Sequence, residues 1–236
     1  TGTRDMEAMG GLAKRAPHMM ALFTVGAVAI CALPPFNGFA SEWLLYTGFF
    51  RAVGVGAAGI QQAVALAAVA LAMTGALAVA CFVNMLGTVY LGSSRSEACR
   101  CMHEPGASMF WPMVLLAGGC VGVGVFPAAV MAPLESAASQ WGAVGLTLPG
   151  LAQAVPFGRL SAACGAFAVL AGALAFLLKC AGRVRGVRVG LTWDCGYAQP
   201  TARMQYSASS FGDSVVRLAA FLLWPRRCRT ALRGLF

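Results

Sequence analysis

Apolar residues along this chain come in long continuous runs, not at every second position or along one helical stripe. A helix needs about 17 to 25 mostly apolar residues to cross the hydrocarbon core of a bilayer. The pattern therefore predicts five membrane spans, including a first one of marginal length, at residues 18–33, 36–53, 63–91, 109–132 and 160–178.

Composition supports a membrane protein. Hydrophobic residues make up 59% of the 236 residues, charged residues only 11%, and the mean hydropathy is +0.74. A disordered chain needs the opposite balance, and an ordinary soluble domain carries about 25% charged residues. We therefore predict an all-α, polytopic transmembrane helix bundle over residues 1–180, followed by a basic tail over residues 181–236.

The tail contains one further apolar stretch, at residues 213–224. It is too short to cross a bilayer, and Pro225, Arg226 and Arg227 follow it. This arrangement predicts a short amphipathic helix on the cytoplasmic membrane surface. The polar segment 190–211 before it suggests no chemistry.

The distribution of basic residues predicts an orientation. Ten of the 17 Lys and Arg residues lie from Lys179 onward, directly after an apolar span, which suits a cytoplasmic flank better than a nucleic-acid groove. With five spans, the loop 92–108 and the C-terminus would face the cytoplasm. The N-terminal segment, the loop near Arg51 and the loop 133–159 would face the other side.

Glu42 is the only carboxylate well inside a predicted span. A charge at the bilayer centre costs about 2.5 to 3.5 kcal/mol on insertion scales, so a carboxyl group kept there is a functional candidate. It could take up and release protons. The alternative is a neutral, structural Glu that hydrogen-bonds to a neighbouring helix.

Two prolines and a glycine precede this acid, namely Pro34, Pro35 and Gly38. Proline removes a backbone donor and glycine permits unusual torsions, so the pattern predicts a helix break. Broken backbone at membrane depth is tolerated where it is buried or lines a watery cavity, as at transporter ion sites. The alternative is a plain loop that joins two antiparallel helices.

Other candidates are less distinctive. Asn84 lies in a span centre and His18 at a span edge, and each could serve a proton pathway or only helix packing and the membrane interface. Cys99, Cys101 and His103 form the one tight cluster of possible metal ligands, but zinc-site spacing and a fourth ligand are missing. We expect no metal and no cofactor in this chain.

Several motifs resemble the antiporter-like membrane subunits of complex I and its relatives. They are the opening Thr1-Gly2-Thr3-Arg4-Asp5-Met6, then Leu33-Pro34-Pro35-Phe36-Asn37-Gly38-Phe39 and Ser41-Glu42-Trp43. The tail motifs, Trp193-Asp194-Cys195-Gly196-Tyr197 and residues 200–211, are similar to the hydrogenase-4 component B and formate hydrogenlyase branch.

The resemblance implies a larger core of about fourteen helices built from two inverted repeats, of which this chain would be a C-terminal fragment. Its first span would be the eleventh helix, and the span with Glu42 the broken twelfth, where the family places a Lys or Glu on the proton path. The hydrogenase branch often has a Lys where this chain has Asn84.

The function implied is proton translocation by a membrane subunit of a hydrogenase-type respiratory complex in the bacterial inner membrane. Nickel–iron and iron–sulfur centres would lie in partner subunits. Two alternatives stay open, a subunit of a multi-subunit cation/proton antiporter and a non-conducting scaffold fragment. The transported ion could be H⁺ or Na⁺.

Overall fold

The computed structural model describes residues 2–141, 156–185, 201 and 204–224. Every regular element within these residues is helical, which confirms the predicted all-α fold. The α-helices are α1 Pro17–Ile30, α2 Asn37–Val55, α3 Ala58–Met85, α4 Glu97–Arg100, α5 Ala107–Val125, α6 Met131–Trp141, α7 Phe157–Arg185, α8 Ala208–Leu218 and α9 Ala220–Leu223. A π-helical turn, Leu86–Tyr90, extends α3, and 3-10 turns occupy Met6–Ala8, Leu12–Lys14 and Pro127–Val130.

Three helices are long and apolar enough to cross a membrane. They cover Ala58–Tyr90, Ala107–Val125 and Phe157–Arg183, close to three of the predicted spans. The first predicted span corresponds to the shorter apolar helix α1. The second corresponds to α2, whose hydropathy is lowered by Glu42 and Arg51.

The contacts along α3 fix the directions of α1 and α2. Phe23 of α1 stacks near Phe82, with ring centroids 6.1 Å apart. Further along the chain, Glu42 faces Gly75, and at the far end Gln61 donates a hydrogen bond to the carbonyl of Val53. As the chain proceeds along α1 and α2, the residues that they contact on α3 have steadily lower numbers, so α3 is antiparallel to both helices.

This order distinguishes a broken helix from an antiparallel hairpin. From Phe82 back to Gln61, α3 rises by about 30 Å, which is roughly the thickness of the hydrocarbon core. Helices α1 and α2 follow each other in the same direction over that length. Together they form one crossing, interrupted at residues 31–36.

Helix α5 runs beside α1 in the same direction. Its first turn places Phe110 edge-on to His18, with ring centroids 6.2 Å apart. Its last turn brings Gly124 against the backbone of Pro35 and Phe36, where any Cβ would collide. A residue without a side chain is needed there, because two backbones meet at this point.

One end of the bundle gathers the N-terminal segment and the loop after α3. The amide of Gly11 donates to the carbonyl of Leu91 at 2.9 Å, and Glu104 accepts from the amide of His18 at 2.8 Å. Leu12, Val89, Tyr90 and Cys99 form a small apolar core there. The expectation that the N-terminal segment lies opposite the 92–108 loop is therefore wrong, because α1 and α2 make one crossing instead of two.

The apolar stretch in the tail is helical but starts earlier than predicted. Helix α8 begins at Ala208, where the hydroxyl of Ser207 accepts a hydrogen bond from the amide of Ser210 at 3.3 Å. A capping serine of this kind sets a helix start independently of the apolar pattern. The helix ends at Leu218, and α9 follows after Ala219.

Candidate functional site

The interruption between α1 and α2 is short and closely packed. The chain leaves α1 with the amide of Leu33 bonded to the carbonyl of Val28, and it enters α2 after Phe36. Pro34 and Pro35 have no amide hydrogen to continue the α1 ladder. Gly38, in the first turn of α2, packs against the carbonyl of Ala29, so the two helical halves lie almost in contact.

Glu42 lies on α2 just after this interruption and is half-buried. One carboxylate oxygen, Oε1, points to α3, where a Cβ added to Gly75 would lie 3.9 Å away. Gly75 is next to the midpoint of the 33-residue span Ala58–Tyr90. The carboxyl group therefore lies at mid-span, next to a glycine that has no side chain to fill the space beside it.

No basic side chain in the described part of the chain lies within ion-pair distance of Glu42. A carboxylate without a fixed counter-charge is costly in an apolar setting, whereas its neutral acid form is tolerated. Among the described residues, Glu42 is therefore not part of a fixed ion pair.

Asn84 does not join Glu42. It follows Gly75 by nine residues, which is about two and a half helical turns, so it points to the opposite face of α3. Its amide Nδ2 donates to the carbonyl of Ala208 at 3.3 Å, and Thr88 Oγ1 donates to its backbone carbonyl at 2.7 Å. The bond to Ala208 connects α3 to the tail helix, and the role of Asn84 in a proton pathway stays a prediction.

His18 lies at the outer end of α1, away from Glu42, and its side chain is 70% exposed. Its ring Nδ1 is 2.8 Å from Glu104 Oε2, and its backbone amide donates to Glu104 Oε1 at 2.8 Å. The hydrogen bond from the His18 ring, and then that from the His18 amide, lower the pKa of the Glu104 carboxyl. Glu104 thereby caps the positive end of α1.

The structure adds a polar cluster that the sequence pattern did not reveal. Glu7 Oε1 accepts from the amide of Ser209 at 2.6 Å, and Glu7 Oε2 lies 3.6 Å from Arg95 Nη1. Arg95 also donates from Nη2 to the carbonyl of Tyr206 at 2.5 Å. These residues are far apart in the chain and individually ordinary, and the one available signal was that the tail motif 200–211 is polar without obvious chemistry.

The cysteine cluster does not assemble a metal site. Cys99 is buried, with Sγ 3.6 Å from the carbonyl of Ala8, whereas Cys101 is exposed. Across the described ranges, no three His, Cys, Asp or Glu side chains come together in a way that could hold a metal ion.

Comparison with known proteins agrees with this geometry. Residues 1–66, which contain α1, the interruption and Glu42, match the family described as NADH:quinone oxidoreductase/Mrp antiporter, TM. Over its first 66 residues the chain is thus similar to antiporter-like membrane subunits. This match and the long apolar helices indicate a membrane protein.

Three relatives illustrate the range of the family. Hydrogenase-4 component B of Escherichia coli is 45% identical over 119 residues, which is 50% of this chain and 18% of the relative. Formate hydrogenlyase subunit 3 of the same organism is 40% identical over 138 residues, 58% of this chain and 22% of the relative. The A subunit of the Na(+)/H(+) antiporter of Alkalihalophilus pseudofirmus is 36% identical over 61 residues, 26% of this chain and 8% of the relative.

The chain matches less than a quarter of the length of each of these three relatives. The two hydrogenase-type matches extend over half of this chain or more, whereas the antiporter match covers only about a quarter.

Proposed function

We propose that this chain is part of a proton-translocating membrane subunit of a hydrogenase-type complex, with Glu42 as a titrating group on the proton path. The observation that carries the proposal is the position of Glu42. It lies at mid-span beside an interrupted helix, and no basic side chain in the described residues neutralises it.

The physical step is a change in the charge of one carboxyl group. In its acid form Glu42 is neutral and compatible with an apolar setting; in its ionised form it needs stabilisation. A positive charge brought to within about 4 to 6 Å on a neighbouring helix or subunit would favour proton release, and its withdrawal would favour uptake. Alternation between these states moves a proton past the break.

The redox reaction that drives this alternation belongs to partner subunits. Two relatives are named as a hydrogenase component and a formate hydrogenlyase subunit. We place nickel–iron and iron–sulfur centres in such partners. Asn84 and His18 are retained only as secondary pathway candidates, since their present partners are Ala208 and Glu104.

Orientation follows from the basic residues at the end that gathers the N-terminal segment. Arg4, Lys14, Arg15, Arg95 and Arg100 all belong to segments at that end, whereas Arg51 is at the far end of α2. By the positive-inside rule, this end faces the cytoplasm of a bacterial inner membrane. The N-terminal segment, the 92–108 loop and the tail then share the cytoplasmic side.

The similarity to one component of a Na⁺/H⁺ antiporter supports a second candidate, a cation/proton antiporter without redox partners. The longer hydrogenase-type matches favour the first. Purification of the complete protein from its native membrane decides between them. Copurification with a nickel–iron protein supports the hydrogenase-type complex, and its absence alongside other antiporter components would support the second candidate.

The test of the pathway is Glu42→Gln in the complete complex, measured as protons pumped per turnover in sealed vesicles at matched complex abundance. Glutamine is nearly isosteric but cannot titrate, so we expect pumping to fall by about a hundredfold or more. Glu97→Gln is the control, because Glu97 on the four-residue helix α4 pairs with exposed Arg100 and with no other cation among the described residues. Unchanged pumping in Glu42→Gln would remove Glu42 from the path.

A further inference from the structure

The start of the tail helix α8 is tied to the bundle by side chains from two other segments. Glu7, from the N-terminal segment, binds the amide of Ser209 in the first turn of α8 at 2.6 Å. Negative charge at this end of a helix is stabilising, because the first amides have no intrahelical partners. Arg95, with a side chain only 11% exposed, holds Glu7 in place at 3.6 Å.

The residues just before α8 are also held by hydrogen bonds to the rest of the bundle. Gln205 makes a two-way hydrogen bond with Ser93, accepting from its amide at 2.8 Å and donating to its carbonyl at 3.2 Å. Gly92, at φ +80°, has no side chain and so leaves space for the Gln205 amide. Asn84 then bonds the carbonyl of Ala208. The tail is thus joined to α3 and to the loop that follows it.

Helix α8 has one apolar face and one polar face. Phe211, Val215 and Leu218 follow the i, i+4, i+7 spacing of a single stripe, whereas Asp213 and Arg217 lie on the other face and pair at 3.5 Å. Phe211 and Val215 are partly buried. The apolar residues after them are not covered by the protein: Leu218, Phe221 and Trp224 are 84%, 84% and 86% exposed.

The depth at which α8 begins is set by Asn84, which binds the carbonyl of Ala208. Asn84 lies six residues before Tyr90, the end of the apolar span, which is about 9 Å along the helix. Surface helices bury their apolar face about 5 to 10 Å into the boundary between headgroups and acyl chains. The outer surface of α3 beside Asn84 is itself apolar, with Val83 56% exposed.

We propose that α8 and α9 form an anchored helical segment at the membrane surface, and that the lipid bilayer covers its apolar face. Glu7, Arg95 and Gln205 hold its start against the bundle, and Leu218, Phe221 and Trp224 enter the headgroup boundary beside α3. Tryptophan is enriched at that boundary because its ring is amphipathic. This arrangement does not depend on the proton pathway through Glu42.

The test uses the full-length protein in its complex, free of native cysteines, in nanodiscs of phosphatidylethanolamine and phosphatidylglycerol. Spin labels are attached singly after Leu218→Cys, Phe221→Cys and Trp224→Cys, and after Asp213→Cys and Arg217→Cys as the polar-face controls. The first three labels should be relaxed by oxygen and protected from a water-soluble nickel chelate, and the two controls should show the reverse. Protection of the first three from both reagents would mean that a protein covers them, and relaxation by the chelate would mean that water does; either result would overturn the proposal.

A second arm tests the anchor. Glu7→Ala should release α8 and raise the mobility of the label at position 217 by about twofold or more. Glu97→Ala, which removes an exposed carboxylate from a separate ion pair, should leave that mobility unchanged. An immobile label in Glu7→Ala would show that Glu7 does not hold the helix.

Discussion

Two glutamates in this molecule have the same chemical group but opposite surroundings. Glu7, at the end of the bundle, has a fixed partner for each carboxylate oxygen: a hydrogen bond from the amide of Ser209 and an ion pair with Arg95. Glu42, at mid-span, faces the open position of Gly75 and has no cationic partner among the described residues. The first carboxyl group has fixed partners in the folded protein, whereas no cation among the described residues fixes the second.

The difference agrees with a structural role for Glu7 and with the transport role proposed for Glu42. Hydrogen bonds and an opposite charge that persist in the folded protein favour the ionised form of a carboxyl group. Such a group is suited to hold segments together, as Glu7 does between the N-terminal segment and the tail. A carboxyl group that carries protons must instead meet its counter-charge only transiently, which the surroundings of Glu42 permit.

Among the substitutions that test this comparison, one that fills the space beside Glu42 should have the largest effect on proton pumping. In Gly75→Val, the added methyl groups would press on the carboxylate, because the Cβ alone lies 3.9 Å from Oε1. We expect proton pumping per turnover to fall by about tenfold, or about 1.4 kcal/mol in barrier. Gly118→Val is the matched control, since an added Cβ at Gly118 meets nothing within 4 Å. Equal pumping in the two variants would show that Gly75 does not shape the site.

Removal of the Glu7 carboxylate should weaken the junction without stopping transport. Glu7→Ala removes both the charge-assisted hydrogen bond to the amide of Ser209 and the ion pair with Arg95, so the start of α8 loses two contacts at once. Hydrogen exchange in residues 204–218 should accelerate, whereas pumping should stay within about twofold of wild type. Loss of pumping with an intact tail would contradict the division of roles.

A pH titration should separate the junction from the pathway. The hydrogen bond from the Ser209 amide, aided by Arg95, lowers the pKa of Glu7 below its ordinary value of 4.5. A lowered folded-state pKa gives stability that is fully present above the unfolded value and is lost as pH falls through the folded value. Protection of the tail from hydrogen exchange should therefore persist at neutral pH and decrease only below about pH 4.5. The decrease should be absent in Glu7→Gln, and an unchanged decrease there would assign it to another group.

The smallest effect is expected at Gln205. Gln205→Ala removes the two hydrogen bonds to Ser93, which join neutral groups and are each weaker than a bond to a carboxylate, but it leaves the Glu7 cap and the ion pair with Arg95 intact. Proteolysis of the tail in detergent-solubilised complex should be faster than in wild type and slower than in Glu7→Ala. A Gln205→Ala tail as labile as the Glu7→Ala tail would make Gln205 the main anchor.

Local composition explains which parts of this fold were predictable. The long apolar runs give helices because a backbone in lipid must satisfy its own hydrogen bonds, and α3 and α5 lie close to their predicted bounds. The interruption before Glu42 also has local causes in Pro34 and Pro35. The direction of α2 after that interruption depends on contacts with α3, so the proline pattern allowed both a broken crossing and a hairpin.

The polar junction could not be predicted for a related reason. Glu7 and Arg95 carry no pattern that links them, and their pairing exists only once Gly11 meets Leu91 and the tail returns to α3. Asn84 was identified as polar and central, but its partner, the backbone carbonyl of Ala208, has no sequence signature. Glu42 stands out in the sequence as a functional candidate, because a lone carboxylate in an apolar run is costly whatever its neighbours are.

The proposed proton transport requires a change of protonation at Glu42 during turnover. Infrared difference spectroscopy of the complete complex in membranes measures this directly, through the carbonyl stretch of a protonated carboxyl group. We predict a turnover-dependent carboxyl band that is present in wild type and in Glu7→Gln and is lost in Glu42→Gln. An identical band in wild type and Glu42→Gln, with pumping preserved, would contradict the proposed role of Glu42.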